Sequence, residues 1–404
     1  MQNHTDTRSI PFDTSPSLKP TIRQIDALQL LRAVAVILVI WCHAGQVLGL
    51  VGAGDMPSFG AFGIDIFFVI SGFILSVSVL REHAQPGWQP TWEFLKRRFI
   101  RIYPIYWFVA FVTMARLARS RELFQHSYLA AFFLVPPLHP ANTEGIFAYS
   151  WTLNFEVFFY LLLGLVLFVT IKRAVPTLIA ILLSLCALGA IVGIQHPVIN
   201  LAANPMLLEF VFGAGIALLY ARIGRKRALG FCLTLLGVDA SLYVRAQSLP
   251  NVANGGQMIM RDQGAFGRVG TWGICAALLV GGLVFWSPSM NSLLGKWWVV
   301  LGNASYSCYL VSALALEYEG RIFFKFDPPT PSAAYRILFV FTTVVGVMIV
   351  GFFCYILVEK PMLRRLQRIL LFKTPSRIPV RNTQQVVHPD RDPAGDRGEG
   401  SIAS

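Results

Sequence analysis

Residues 63–73 read Gly-Ile-Asp-Ile-Phe-Phe-Val-Ile-Ser-Gly-Phe, a stretch that sets one carboxylate inside a segment apolar enough to cross a membrane. The apolar segment before it, near residues 27–50, carries Arg32 and His43 in the same way. An ionisable group at membrane depth is costly, so it normally faces a cavity and serves a function. Eleven helical residues turn about 1100° and rise about 16 Å, so Arg32 and His43 share one helix face. We therefore expect a functional polar stripe along the first two spans.

The composition extends this interpretation to the whole chain. Of its 404 residues, 55% are hydrophobic and 14% charged, and the mean hydropathy is +0.59. Soluble domains carry about 25% charged residues, so the deficit predicts an all-α, polytopic membrane protein. The net charge of +13 does not indicate nucleic-acid binding, because Lys and Arg form short clusters between apolar runs. The six cysteines have no metal-ligand spacing, so we expect small core residues and no metal site.

Apolar runs along the chain predict about ten transmembrane helices. They lie near residues 27–50, 60–80, 102–118, 151–171, 175–195, 204–221, 228–244, 269–287, 297–316 and 335–358. Residues 91–101 predict an amphipathic helix in the membrane interface, and the apolar piece 128–138 is too short to cross.

The basic clusters indicate the orientation, because cytoplasmic loops are enriched in Lys and Arg. Clusters within 81–101, 172–173, 222–227 and 359–368 would all be cytoplasmic, and an even number of spans puts both termini there. The cluster of Arg116, Arg119 and Arg121 is the exception. We expect a disordered cytoplasmic tail over 1–24, an integral membrane domain over 25–368, and a mostly disordered cytoplasmic tail over 369–404.

Three ionisable side chains are candidates for catalysis. In this topology His43 lies about 24 Å from the cytoplasmic end of its span, and Asp65 and Glu156 lie about 8 Å from the outer ends of theirs. In a hydrocarbon core of about 30 Å, these levels nearly coincide. A carboxylate beside an imidazole fixes its tautomer and raises its basicity, as a general base requires. The alternatives are a hydrogen-bonded core histidine and carboxylates that join helices.

Basic residues form a second candidate site at the cytoplasmic end. Arg98 and Arg101 precede the third span, and Arg32 lies nearer to them than to the outer side. Guanidinium groups bind phosphate bidentately, so these three arginines would hold a phosphorylated donor that threads the membrane towards His43. The alternative is that the arginines only set the topology.

Six short motifs, in sequence order, resemble the acyltransferase 3 family of integral membrane acyltransferases. They are Arg32 with His43; residues 63–73; Arg98-Phe-Ile-Arg101-Ile-Tyr-Pro104; Trp151-Thr-Leu-Asn-Phe-Glu156-Val-Phe-Phe-Tyr160; Leu301-Gly-Asn-Ala-Ser305-Tyr306-Ser-Cys-Tyr309-Leu; and Val358-Glu-Lys-Pro361. The fourth motif, together with residues 207–213, further resembles an exopolysaccharide acetyltransferase branch.

The resemblance implies an O-acyltransferase of the bacterial inner membrane. It would move an acetyl group from cytoplasmic acetyl-CoA to a sugar hydroxyl of an exopolysaccharide or its lipid-linked precursor. Tyr160, Ser305 and Tyr306 would bind substrate or support the site. The implied partners are the glycan acceptor, membrane lipid and polysaccharide assembly proteins. One departure from the family pattern is Ser312, where many members have histidine.

Two alternative functions are consistent with the same residues. One is acylation of a small secreted oligosaccharide or macrolide. The other, from a different class, is a proton-coupled secondary transporter whose buried histidine and carboxylates relay protons. Transporters often show repeated halves with broken spans in matching positions, and the sequence shows neither.

Overall fold

A computed structural model describes residues 22–47, 56–82, 85–119, 132–135, 151–192, 197–247, 264–325 and 332–371. Within these ranges the regular structure is helical, and no strand occurs. The prediction of an all-α, polytopic membrane protein is confirmed. The predicted tails lie mostly outside the described residues, although 22–24 already begin the first helix and 369–371 end the last one. Most of the apolar piece 128–138 also lies outside them.

Twelve helices are described along the chain. They are α1 (Ile22–Val47), α2 (Phe62–Leu80), α3 (Trp88–Arg119), α4 (Trp151–Val169), α5 (Ala174–Val192), α6 (Pro197–Ala203), α7 (Leu207–Ile223), α8 (Arg227–Ala246), α9 (Ala265–Trp286), α10 (Leu293–Lys325), α11 (Ala333–Cys354) and α12 (Lys360–Leu371). A 3₁₀ turn, Met56–Ala61, precedes α2. One π turn, Val269–Gly273, lies inside α9, and another, Tyr355–Glu359, joins α11 to α12.

Nine helical segments of the described chain are long and apolar enough to cross a membrane. The remaining predicted span, 102–118, lies in α3, whose 32 residues continue through Pro104. At 1.5 Å per residue α3 is about 48 Å long, which exceeds the hydrocarbon core of about 30 Å. The predicted interfacial helix over 91–101 and the predicted span over 102–118 are therefore two parts of one continuous helix.

The predicted span at 204–221 lies within the candidate membrane segment Val198–Ile223, which is broken between α6 and α7. Asn204 and Pro205 separate α6 from α7, and the Asn204 side chain accepts a hydrogen bond from the Met206 backbone N–H at 3.0 Å. A residue before proline disfavours the helical conformation, which explains the break.

Close backbone contacts fix α2 between α1 and α7. A Cβ added at Gly63 would lie 2.2 Å from the carbonyl oxygen of Ala35, and one added at Gly72 would lie 2.2 Å from that of Phe210. Small residues let helix backbones approach in this way inside membranes. The glycines of residues 63–73 therefore bring the polar groups of α2 close to its neighbours.

Exposed apolar side chains mark the outward faces of several helices. On α8 these include Phe231, Leu235 and Leu236, and Cys232 is exposed beside them. The prediction that all six cysteines are core residues is therefore wrong for Cys232. Cys42, Cys186, Cys275 and Cys308 are buried, and Cys354 is half-buried.

Candidate active site

A cavity of about 160 Å³ lies between α1, α2, α3, α4 and α10. Seven of the nine predicted site residues line it: Arg32, Arg98, Arg101, Glu156, Tyr160, Ser305 and Tyr306. Most of the other lining residues are apolar, which makes the arginines and the carboxylate the main charged groups of the cavity. The structure therefore brings together the predicted phosphate-binding residues and one of the three predicted catalytic residues.

Two hydroxyl groups hold the carboxylate of Glu156. The Tyr160 hydroxyl, one turn further along α4, donates a hydrogen bond to Glu156 Oε1. The Ser71 hydroxyl of α2 donates to the same oxygen at 3.3 Å. Residues four apart on a helix lie one above the other, which explains why Tyr160 reaches Glu156.

Arg101 is held by its own set of contacts. Its Nη1 donates a hydrogen bond to Glu359 Oε1 at 2.6 Å, and Ser307 Oγ donates to Glu359 Oε2 at 2.6 Å. The guanidinium lies 5.6 Å from the ring centre of Tyr306, whose hydroxyl donates to the carbonyl oxygen of Ile102. Glu359 is fully buried, so its carboxylate anchors Arg101 to the junction between α11 and α12.

Arg98 differs from Arg101 because its Nε is buried without a hydrogen-bond partner among the described residues. Its guanidinium lies 5.7 Å from the ring centre of Phe94 and 6.0 Å from that of Tyr160. Ser305 also presents a buried hydroxyl to the cavity without a partner in the described part of the chain. Buried polar groups normally have partners, so both groups are available to a ligand.

The contacts between the helices show how far along the axis of α1 each site residue lies, which is called its level below. Gly63 of α2 faces Ala35 and Val39 of α1, and Gly302 of α10 faces Gln29. The cavity ends at Ile64 and Tyr309, so this register places that end level with residue 36 of α1. Thr152, whose hydroxyl lies 2.7 Å from that of Tyr309, closes the same end.

The predicted convergence of His43, Asp65 and Glu156 at one depth is not what the structure shows. Glu156 lies one turn from Thr152 and is therefore about level with Arg32. His43 lies seven residues, or about 10 Å, beyond the end of the cavity, and does not line it. The depths predicted from the sequence were wrong because the 3₁₀ turn before α2 packs against α1. As a result, α2 begins well short of the end of α1.

Asp65 lies outside the cavity and pairs with Arg268. Arg268 Nε donates to Asp65 Oδ1 at 2.9 Å and Nη2 donates to Oδ2 at 2.5 Å, and Nη2 also donates to the Ala61 carbonyl oxygen. Both side chains are 0% exposed. The structure therefore matches the alternative interpretation of Asp65, a carboxylate that joins helices, rather than a partner for His43.

His43 is almost fully buried, and its Nδ1 lies 2.7 Å from Gln46 Oε1 on the next turn of α1. Glu156 Oε1 and Asp65 have the separate partners described above. The catalytic role of His43 stays a prediction.

A family model described as an acyltransferase domain matches residues 25–352. The chain belongs to the acyltransferase 3 family. This acyltransferase is 29% identical over 333 residues to the exopolysaccharide production protein ExoZ of Rhizobium meliloti (strain 1021), covering 77% of this chain and 92% of that protein. It is 26% identical over 213 residues to nodulation protein 10 of Rhizobium leguminosarum bv. viciae, covering 46% of this chain and 56% of that protein. No solved structure matches it.

The position at which many acyltransferase 3 proteins have histidine has a different use in this enzyme. Ser312 is fully buried, and its hydroxyl donates to the Tyr309 carbonyl oxygen of its own helix at 2.6 Å. It is not among the residues that line the cavity.

Three polar residues of this acyltransferase were missed in the sequence. Glu359 stands in the Val-Glu-Lys-Pro motif, which was noted for its resemblance alone, and Ser71 stands within residues 63–73. Arg268 directly precedes a predicted span, and a buried carboxylate elsewhere needs a cation. The buried carboxylate of Asp65 therefore indicated that a cation lies near it. The chain has 34 Lys and Arg residues, however, and the sequence does not show which of them is the partner.

Proposed function

We propose that this acyltransferase transfers an acetyl group from acetyl-CoA to a sugar hydroxyl of an exopolysaccharide or of its lipid-linked precursor. Acetyl-CoA would enter from the cytoplasmic side of a bacterial inner membrane, with both termini of the chain on that side. The observation that carries the proposal is the Nε of Arg98, which is buried without a hydrogen-bond partner among the described residues, in a cavity that also holds Arg32 and Arg101. The printed name of the Rhizobium meliloti relative supports an exopolysaccharide acceptor.

The charges of the cavity favour a phosphorylated donor. Three guanidinium groups line or border it against the carboxylates of Glu156 and Glu359. With both carboxylates ionised, one positive charge is left over. Arginine binds phosphate through two parallel hydrogen bonds, and Arg98 has a donor free among the described residues for such a bond.

The length of the cavity suits the pantetheine arm of acetyl-CoA. The residues of α2 that line it run from Leu75 to Ile64, which is about 16 Å along the helix. Phosphates held at Arg98 would leave an extended, flexible arm pointing towards Thr152 and Tyr309. The thioester would then lie at the end of the cavity nearest to His43.

We assign His43 the role of general base for the acceptor. The acceptor oxygen attacks the thioester carbonyl carbon, its proton passes to His43, the carbon–sulfur bond breaks, and the CoA thiolate leaves and takes up a proton. A base must come within about 3 Å of the proton donor, or within one water of it. Because His43 lies about 10 Å beyond the described end of the cavity, the acetyl group and the acceptor must meet between these two levels.

The test uses radiolabelled acetyl-CoA and membranes that contain the full-length protein. We expect label in glycan with the wild type and none with His43→Ala, at equal amounts of membrane-inserted protein. Wild-type transfer by His43→Ala would contradict the role of His43. Proton-coupled uptake without transfer to any acceptor would instead support the transporter alternative.

A further inference from the structure

A second cavity, of about 440 Å³, lies beside the first one. Its walls come from the end of α2, the connection around residues 85–87, the start of α3 and one residue of α4. Arg98 is the residue common to the linings of both cavities. A ligand that fills both would therefore pass Arg98 at the junction.

We propose that this second cavity binds the purine nucleoside end of the acyl donor. The inference rests on the proposed function, because it assumes a CoA thioester as the donor. In CoA the adenosine phosphate, the diphosphate, the pantetheine arm and the thioester follow in that order. The second cavity, Arg98 and the first cavity lie in the same order, so the diphosphate would meet the Nε that has no partner in the described chain.

The walls of the second cavity suit a purine base better than a simple anion. Trp88 is 64% exposed and stacks on Trp92 with ring centres 5.6 Å apart and 11° between the planes, which leaves an aromatic face in the cavity. Bases stack on aromatic side chains of any kind because every base has a π-face. The side chains of Gln85, Gln89 and Glu82 can pair with the polar edge of the base.

The charged residues of the cavity argue against an anionic lipid headgroup. Arg97 is paired with Glu93 at 3.8 Å, and Glu82 also lines the wall, so carboxylates face part of the space. A purine amino group can donate to these carboxylates, whereas the phosphate of a lipid headgroup has no donor for them.

The first experiment compares two donors. We expect Trp88→Ala to raise the KM for acetyl-CoA about tenfold, because it removes one stacking platform. The KM for S-acetylpantetheine, which lacks the nucleoside and its phosphates, should not change. Tyr243→Ala is the matched control, since Tyr243 is also 64% exposed but lies on α8, away from both cavities. Equal changes for both donors, or no change for acetyl-CoA, would overturn the inference.

The second experiment does not depend on catalysis. Gln89→Cys in the full chain, with the exposed Cys232 replaced by serine, is labelled with a maleimide in the presence of adenosine 3′,5′-bisphosphate. Protection from labelling supports a nucleoside site, and absence of protection overturns it. Protection by phosphatidylglycerol vesicles but not by the nucleotide would assign the cavity to lipid. If the nucleotide protects the thiol but the protein transfers no acetyl group from either donor, the nucleoside site would stand and the proposed function would be wrong.

Discussion

Replacement of Asp65 by asparagine tests whether this residue stabilises the fold or takes part in the reaction. The variant keeps the shape of the side chain but breaks the ion pair with Arg268 between α2 and α9, where both partners are 0% exposed, and leaves the buried carboxyl group of Glu209 as the acidic neighbour of that guanidinium. Removal of one partner from a buried ion pair costs about 3–5 kcal/mol. That is a large part of the total stability of about 5–15 kcal/mol that is typical of folded domains.

The measurement is unfolding in detergent, followed by tryptophan fluorescence. Trp272 is a local reporter, because its ring lies 5.1 Å from that of Phe62 in α2 and 5.4 Å from that of Phe59. We expect Asp65→Asn to lower stability by about 3–5 kcal/mol. Arg225→Gln, which removes an exposed charge from the connection between α7 and α8, should change it by less than about 0.5 kcal/mol.

A double variant separates stability from catalysis. Asp65→Leu with Arg268→Met removes both charges, and apolar replacement of a buried pair is often neutral or stabilising. We expect this variant to regain stability and to transfer acetyl groups at a rate near that of the wild type. A stable but inactive double variant would refute our reasoning and restore the catalytic role predicted from the sequence. Unchanged stability of Asp65→Asn would refute the ion-pair argument itself.

Three further predictions concern the cavity and its walls. Arg98→Gln should raise the KM for acetyl-CoA more than it lowers kcat, as loss of uniform binding does, while Lys96→Gln on the same helix should change neither. Glu359→Gln keeps a partner for Ser307 but frees Arg101, so we expect a higher KM for acetyl-CoA, and an unchanged KM would contradict this. The loss of stability should be smaller than that of Asp65→Asn, because the Arg101 side chain is 30% exposed. Gly72→Ala should destabilise the protein by about 1–3 kcal/mol through overpacking, and normal thermal unfolding would contradict the close contact.

The sequence predicted the membrane-spanning architecture well because each span needs only a local run of apolar residues. It also predicted seven of the ten polar residues that line the cavity: the charged ones because ionisable side chains inside or beside such runs stand out, and Tyr160, Ser305 and Tyr306 through the family resemblance. Depth was the weak point. Counting residues from the end of each span assumes that all spans begin at one level. The 3₁₀ turn before α2 already lies at Leu38 and Cys42 of α1, and α2 itself begins next to Ala35 and Val39. Asp65 was therefore placed about 12 Å too close to the level of His43.

Pairings between distant residues could not be derived from spacing. Arg268 is 203 positions from Asp65, and Glu359 is 258 positions from Arg101. A buried charge requires a partner, but the requirement does not say which cation of the chain meets it. Only the packing of α9 against α2 and of the α11–α12 junction against α3 selects these partners.

Two contacts of α2, one from Asp65 and one from Ser71, explain how this helix serves both the fold and the site. Asp65 and Ser71 are six residues apart, which is about 600° of helical turn, so they point to different sides of α2. Asp65 binds Arg268 on the side of α9, whereas Ser71 donates to Glu156 on the side of α4. The ion pair therefore fixes the position of α2 without using the face that lines the cavity. Because the glycines at 63 and 72 also fix its distance from α1 and α7, the hydroxyl of Ser71 is held in place for Glu156 by contacts that take no part in binding the donor.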